Sequence, residues 1–474
     1  MQHMRLLRWV ISALLLVSGA VISFAHAKTG GDLTPRLEKL AAFKLNTPHY
    51  YKLDNGLELL IYEDKRAPVV AHSVWYKVGA ADELDGESGL AHFFEHLMFK
   101  GTKNVEPGYF SKFVARIGGE DNAYTTNDYT VYYQNVASEF LPNVMKMEAD
   151  RMVNLQVPDH EFYLERDVVL EERSMRVDNN PAALLSEQMS SMLYRNHPYG
   201  SPTIGWRHEI AKLTPQHARD FYKRYYAPNN AIVTIVGDVD PDEVLELAQK
   251  TYGKNKAFKE ITPYVRPSEP PQNARRFVTL ADDKVSLPSL FYYMQGIDPK
   301  ENLRELYAFA IGLKALGSGD QSYLYRKWVK EEELALSIGV YTSVETIDAG
   351  PVMLQAMPSQ KISLEQLDAT LQNDISEIVK KGLSDEDIQV VQSDMIVDFI
   401  RSSDSRGNMA RFWGTGLIRG IPIEELRNFP ANIANITPDE VNEALRKVFR
   451  QENRVVGYLK SETKDTLEKS GEKI

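Results

Sequence analysis

Short runs of β-branched and aromatic residues at 58–62, 69–78 and 130–136 are bounded by polar, glycine or proline positions and predict strands. Apolar residues at helical spacing predict helices near 88–100 and 142–156. Strands alternate with helices along the chain, so each half reads as a mixed sheet-and-helix unit. One such unit occurs twice. Thr214-Pro215 opens a helical stretch ending near Tyr226, and the apolar run Ala231 to Gly237 follows it. Thr437-Pro438 opens a similar stretch, followed by Asn453 and the run Arg454 to Leu459. Thr-Pro suits a helix start, with threonine as cap and proline in the first turn. Thr214 to Asn230 and Thr437 to Asn453 are equally separated, which points to an internal duplication.

Pro263, Pro267, Pro270 and Pro271 fall in a stretch poor in apolar residues. It predicts an extended linker over 256–274, between domains at 45–255 and 275–460. Residues 461–474 are polar and predict a frayed tail. The N-terminus carries a different pattern. Arg5 and Arg8 precede an uncharged run from Trp9 to Phe24, and Ala25-His26-Ala27 forms a small-x-small site, so residues 1–27 read as a secretory signal peptide. The run is shorter than the roughly 20 apolar residues that span a bilayer. The expectation is a periplasmic protein with no stable membrane insertion after cleavage.

The 474 residues, 43% hydrophobic and 26% charged, have ordinary globular composition, which sets aside disordered and low-complexity classes. The balance of 55 basic against 66 acidic residues gives −11 and lacks the basic surplus that phosphate backbones attract, so no nucleic-acid partner is expected. The absence of cysteine removes disulfides, thiolate zinc ligands and cysteine nucleophiles. All 10 histidines lie at or before His217, so a histidine-ligated metal belongs to the first half.

His92 and His96 occur in Ser88-Gly89-Leu90-Ala91-His92-Phe93-Phe94-Glu95-His96-Leu97-Met98-Phe99-Lys100-Gly101, where Ser88 is placed to cap a helix and Gly101 to end it. At about 100° per residue, His92, Glu95, His96 and Phe99 share one face, and Leu90, Phe94, Leu97 and Met98 lie opposite. The polar face presents two imidazoles one turn apart with a carboxylate between them. That donor pattern suits zinc, with the unligated Glu95 as proton acceptor toward water. The order His-x-x-Glu-His inverts the commoner His-Glu-x-x-His. Catalytic zinc usually keeps three protein ligands and one open position. Candidates for the third lie in the helix-like stretch Phe162 to Arg173, where Glu165 and Glu172 are seven apart and share a face. Spacing does not choose between Glu171 and Glu172.

These segments resemble the insulinase/pitrilysin-type inverted-zincin metallopeptidases, in particular the two-domain branch similar to mitochondrial processing peptidase. The resemblance is carried by Gly89 to Thr102, by Gly118-Gly119-Glu120-Asp121-Asn122-Ala123-Tyr124-Thr125, by the Glu165–Glu172 stretch and by His197-Pro198-Tyr199-Gly200. It implies an α+β protein of two homologous α/β domains, each an antiparallel-rich sheet flanked by helices, together half of a clam-shell peptidase. It implies Zn2+ held by His92, His96 and Glu172, the last chosen over Glu171 by its family position. Glu95 is then the general base for peptide-bond hydrolysis, and Glu165 matches a second family glutamate at the site. Asn122, Ala123 and Tyr124 match an edge strand that pairs with extended peptide or unfolded-protein substrates. His197-Pro198-Tyr199-Gly200 reads mainly as a structural turn.

One departure stands out. Similar peptidases place an arginine and a tyrosine in the second domain to hold substrate, and the corresponding stretch here, Lys330 to Ser337, has neither where expected. The expectation is therefore a homologous partner chain that supplies the Arg/Tyr pair, with a homodimer as the alternative. Two functions follow. One is a zinc endopeptidase; the other is a non-catalytic structural or peptide-binding subunit of the same fold. The full set of His92, Glu95, His96 and Glu172 favours the enzyme, because inert relatives are expected to have lost part of it.

Overall fold

The computed structural model describes residues 34–258, 265–342 and 345–462. The signal-peptide reading, part of the proline-rich stretch and nearly all of the polar tail lie outside the described residues. Among those described, no helix is long and apolar enough to cross a membrane.

Two sheets carry the fold. The first uses β1 (His49–Lys52), β2 (Glu58–Glu63), β3 (Val69–Tyr76), β4 (Glu120–Thr125), β5 (Thr130–Ala137) and β6 (Ala231–Gly237), in the order β1-β2-β6-β3-β5-β4. The second uses β7 (Arg276–Asp282), β8 (Ser289–Gln295), β9 (Ala335–Thr342), β10 (Pro351–Pro358) and β11 (Val455–Ser461), in the order β7-β11-β8-β10-β9. Pairing is antiparallel except for β2 with β6 and β7 with β11. Apart from β1, the two sheets match strand for strand in order, chain sequence and sense. Each closing strand follows a Thr-Pro helix, Pro215–Tyr225 or Pro438–Val448, and in both the threonine side chain accepts an N–H of the first turn. The duplication thus extends to five strands of each sheet.

The same match pairs two helices of different character. Between β3 and β4 lies Leu90–Leu97, which carries His92 and His96; between β8 and β9 lies Leu303–Gly317, whose buried face is Leu306, Phe309, Leu313 and Leu316. The first carries two histidines on its polar face; the second has no histidine.

Each half also roofs the other's sheet. Helix Arg406–Ile418 of the second half lies on β3 and β6, with Met409, Ala410 and Trp413 in a cluster with Leu60, Ala71 and Val236. A side chain on Gly414 would run into the indole of Trp75, so glycine permits this close approach. Helix Pro181–Leu193 of the first half lies on β7 and β11, where Leu185 and Met189 pack with Val455, Leu459 and Tyr293.

The described parts of the 256–274 stretch, 256–258 and 265–274, have neither helix nor strand. The stretch is not a free tether. The nearly buried guanidinium of Arg266 is 3.0 Å from Asp82, 2.9 Å from Asp348 and in closer contact with Asp128. Asp82 and Asp128 belong to the first half and Asp348 to the second. His197, Tyr199 and Lys300 join this polar cluster: Tyr199 donates to Asp128 at 2.7 Å, His197 Nε2 is 3.3 Å from Asp348, and Lys300 also contacts Asp348. The structure accordingly makes Pro198–Gly200 a short turn that ties elements together.

Candidate metal centre

The helix bearing the histidines is shorter than its pattern suggests. It runs Leu90–Leu97, and its N-cap is Gly89 in the left-handed region, not Ser88. Ser88 Oγ instead accepts the N–H of Trp206 at 2.9 Å. The buried carboxylate of Glu83 takes the free N–H groups of Gly89 and Ala91, at 2.9 and 2.6 Å. A carboxylate from the preceding turn has replaced the Ser88 cap. The helix also ends before Gly101, whose carbonyl accepts the Gln156 N–H. Leu90, Ala91, Phe93, Phe94 and Leu97 are buried in the first-half core and fix the orientation of the polar face.

Helix Asp159–Arg173 packs against it. His92 Nε2 lies 3.6 Å and His96 Nε2 3.3 Å from Glu172 Oε2, and one donor atom from each of the three residues falls within 4.8 Å of the others. Glu171 is exposed and takes no part in this group, whereas Glu172 is mostly shielded. The chemistry of the set fits zinc: two imidazoles, one carboxylate, and a Glu172 Oε2 that is buried without a hydrogen-bond partner.

Glu165 stands behind the histidines. His96 Nδ1 donates to Glu165 Oε1 at 2.9 Å, and Lys100 Nζ is 2.6 Å from Oε2 of the same carboxylate. This contact places the proton on Nδ1 and leaves Nε2 as the donor atom toward a metal. Glu165, expected at the site as a catalytic group or a support for the ligands, lies where it orients His96. Glu95 is near-buried, and its Oε2 accepts the Thr125 hydroxyl at 2.6 Å. Thr125 is the last residue of β4; the sequence reading named it in the Gly118–Thr125 segment but gave it no role at the site.

The electrostatics of the donor set are uneven. Burial pushes His92 down to about 4. Burial opposes charge on His96 as well, yet Glu165 and Glu172 on either side carry it up to about 9. Burial would raise Glu172, but His96, His92 and Arg176 draw it down to about 2. Burial raises Glu95, with the Thr125 hydrogen bond offsetting only part of it.

Asn122, Ala123 and Tyr124 lie in β4, which pairs with β5 on one side and forms the edge of its sheet. Asn122 is exposed, and its Oδ1 accepts the Ala123 N–H at 2.8 Å, blunting the open edge. The Tyr124 side chain packs beside Trp75 and Tyr129 and under the guanidinium of Arg411. Of the three, Tyr124 therefore offers the edge only its backbone. Arg176 went unremarked and Lys100 was given no role; each stands four residues after a metal-site residue, a spacing that would have found them.

A family model described as insulinase (peptidase family M16) matches residues 59–206, and one described as the peptidase M16 inactive domain matches 212–395. The zinc protease PqqE of Helicobacter pylori is 30% identical over 414 residues, covering 86% of this chain and 91% of that protein. The chain belongs to peptidase family M16. This M16 chain is also 26% identical over 424 residues to an uncharacterized zinc protease of Streptomyces coelicolor, with 88% and 90% of the two chains covered. The crystal structure of a protease from Helicobacter pylori matches it with a TM-score of 0.83 at 28% identity, over 88% of this chain and all of that one. The first half of the periplasmic protease PqqL from Escherichia coli shares the fold, with a TM-score of 0.73 at 22% identity over 91% of this chain and 95% of that one. Pitrilysin does too, at 0.71 and 19%; the match takes 88% of this chain and only 45% of pitrilysin. The M16 assignment makes this a chain of the zinc metalloprotease family, and the two sheets flanked by helices are the half-shell that the resemblance implied.

Proposed function

We propose that this M16 chain is a zinc-dependent endopeptidase acting on peptides or unfolded proteins. The observation that carries the reading is the convergence of His92, His96 and Glu172 on one point within 4.8 Å, with Glu95 on the same helix face. His92, His96 and Glu172 would hold Zn2+, which supplies Lewis-acid activation of water and of the scissile carbonyl. Glu95 takes the proton of the attacking water and returns it to the leaving amine. Thr125 holds one oxygen of that carboxylate, so the other is presented to the reaction. Glu165 and Lys100 keep His96 in the required tautomer. An extended substrate adds to the open edge of β4, displacing the Asn122 amide from the Ala123 N–H.

The zinc-bearing half comprises residues 45–255 and the related half 275–460. The chain works as the catalytic half of a two-chain enzyme whose homologous partner supplies the missing Arg/Tyr pair. Support comes from the stretch after the π-helical turn Arg326–Glu331, which leads straight into β9 without either residue, and from the length of PqqL, of which this chain spans 49%. The leader-like N-terminus supports a periplasmic location.

The test is metal analysis with peptide turnover for wild type and Glu95→Gln. The variant is expected to retain its metal and lose turnover by at least about 100-fold. Retained turnover removes Glu95 as base, and a wild type that holds metal yet cleaves nothing with any homologous partner favours the non-catalytic subunit. Full activity of the purified chain alone on unstructured peptides rules out the need for a partner.

A further inference from the structure

Helix Asp159–Arg173 does not stop after its last α-helical turn. It widens into a π-helical turn, Ser174–Asp178, a rare geometry that gathers at functional sites. The turn is pinned from several sides. The buried guanidinium of Arg173 donates to Glu187 at 2.8 and 3.0 Å and to the Gly205 carbonyl at 2.6 Å, and its Nε is 3.2 Å from Asp178. Asp178 also accepts from Arg207 at 2.8 Å. Within this fixed turn Arg176 reaches back, and its Nη2 lies 2.9 Å from Glu172 Oε1. The other oxygen, Oε2, is the one that faces His92 and His96.

We propose that Arg176 is a positioning residue that makes Glu172 a one-oxygen metal ligand. The proposal deepens the zinc-site reading and rests on it. A carboxylate with both oxygens free can grip a cation through one or both; an arginine on Oε1 leaves Oε2 alone for the metal. Three protein donors and one open position then remain, the arrangement a catalytic zinc requires. Stability is a poor explanation for the contact. Arg176 is 48% exposed, and an exposed pair at this spacing contributes little to a helix. Its consequence lies in the orientation of Glu172, which is only 15% exposed and, among the described residues, has no other cation on Oε1. Partners that orient metal ligands in this way govern affinity and geometry.

The test compares wild type with Arg176→Gln and Arg176→Lys, by competition of Zn2+ against a chromophoric chelator and by the visible spectrum of the Co2+-loaded protein. Arg176→Gln is expected to weaken Zn2+ binding about 10- to 100-fold. Its Co2+ spectrum should lose the intense bands of a four-coordinate ion, because both Glu172 oxygens become available. The melting temperature of the metal-free protein should not change. Arg176→Lys keeps the cation without the planar fork and should recover part of the affinity. Unchanged Zn2+ affinity and Co2+ spectrum in Arg176→Gln overturn the proposal while leaving the zinc site standing. A loss of affinity matched by a lower metal-free melting temperature overturns it too, because the fold would then be the cause. A wild type that binds neither ion overturns the zinc-site reading and this proposal together.

Discussion

His96 donates through Nδ1 to Glu165, and Glu165 is held in turn by Lys100, so the ring presents Nε2 to His92 and Glu172. Glu165→Ala is therefore expected to weaken Zn2+ about 10- to 100-fold in chelator competition, whereas the exposed neighbour Glu171→Ala leaves it unchanged. At this scale the sequence was most legible where chemistry follows a local period. His92, Glu95 and His96 fall on one face of one helix because 3.6 residues make a turn. Glu172 lies on another helix, and only the family resemblance separated it from Glu171. Thr125 and Arg266 meet their partners across the fold, at separations no local pattern records.

The capping of individual helices was legible where the cap stands next to the first turn and not where it comes from the turn before. Thr214 and Thr437 cap the helices that their Thr-Pro pairs predict, yet Ser88 yields its role to Glu83, which arrives from an earlier turn. At the second repeat helix, Glu440 closes the capping box with Thr437 and accepts two hydrogen bonds from Arg304, at 2.5 and 2.9 Å. The Arg304 hydrogen bonds pull Glu440 down to about 2. Its contribution is complete above the ordinary glutamate value of about 4.3 and is lost as pH falls from there toward 2. Glu440→Gln should thus melt below wild type at pH 7, and the gap should close over that acid window. Partial exposure of both partners holds the difference to about 0.5–1 kcal/mol. Gly414 acts through packing instead. Trp75 is buried and cannot retreat, so Gly414→Ala overpacks the contact by about 1–3 kcal/mol, less the roughly 1 kcal/mol that alanine gains in a helix. A lowered melting temperature for an alanine substituted into a helix would identify the clash.

Across the molecule, the duplication legible in two Thr-Pro helices became a match of five strands in order and sense. The exchange of helices between the halves was not legible, because an apolar helix face does not state which sheet it covers. Nor was the fastening of the linker, since a proline-rich stretch looks like a spacer until Arg266 is seen between three carboxylates. Arg266→Ala leaves Asp82 and Asp128 without their counter-charge in a mostly buried setting, while Asp348 keeps Lys300. Unfolding in urea should show a loss of about 3–5 kcal/mol, as for other buried charges deprived of a partner. A change under 1 kcal/mol would show that the two acids are compensated elsewhere. The reciprocal roofing has one further consequence. Neither sheet can shed its borrowed helix without baring a hydrophobic face, so the two halves cannot swing apart as jaws do. Cutting the gene within the linker should give fragments that aggregate when made singly and reassemble when made together.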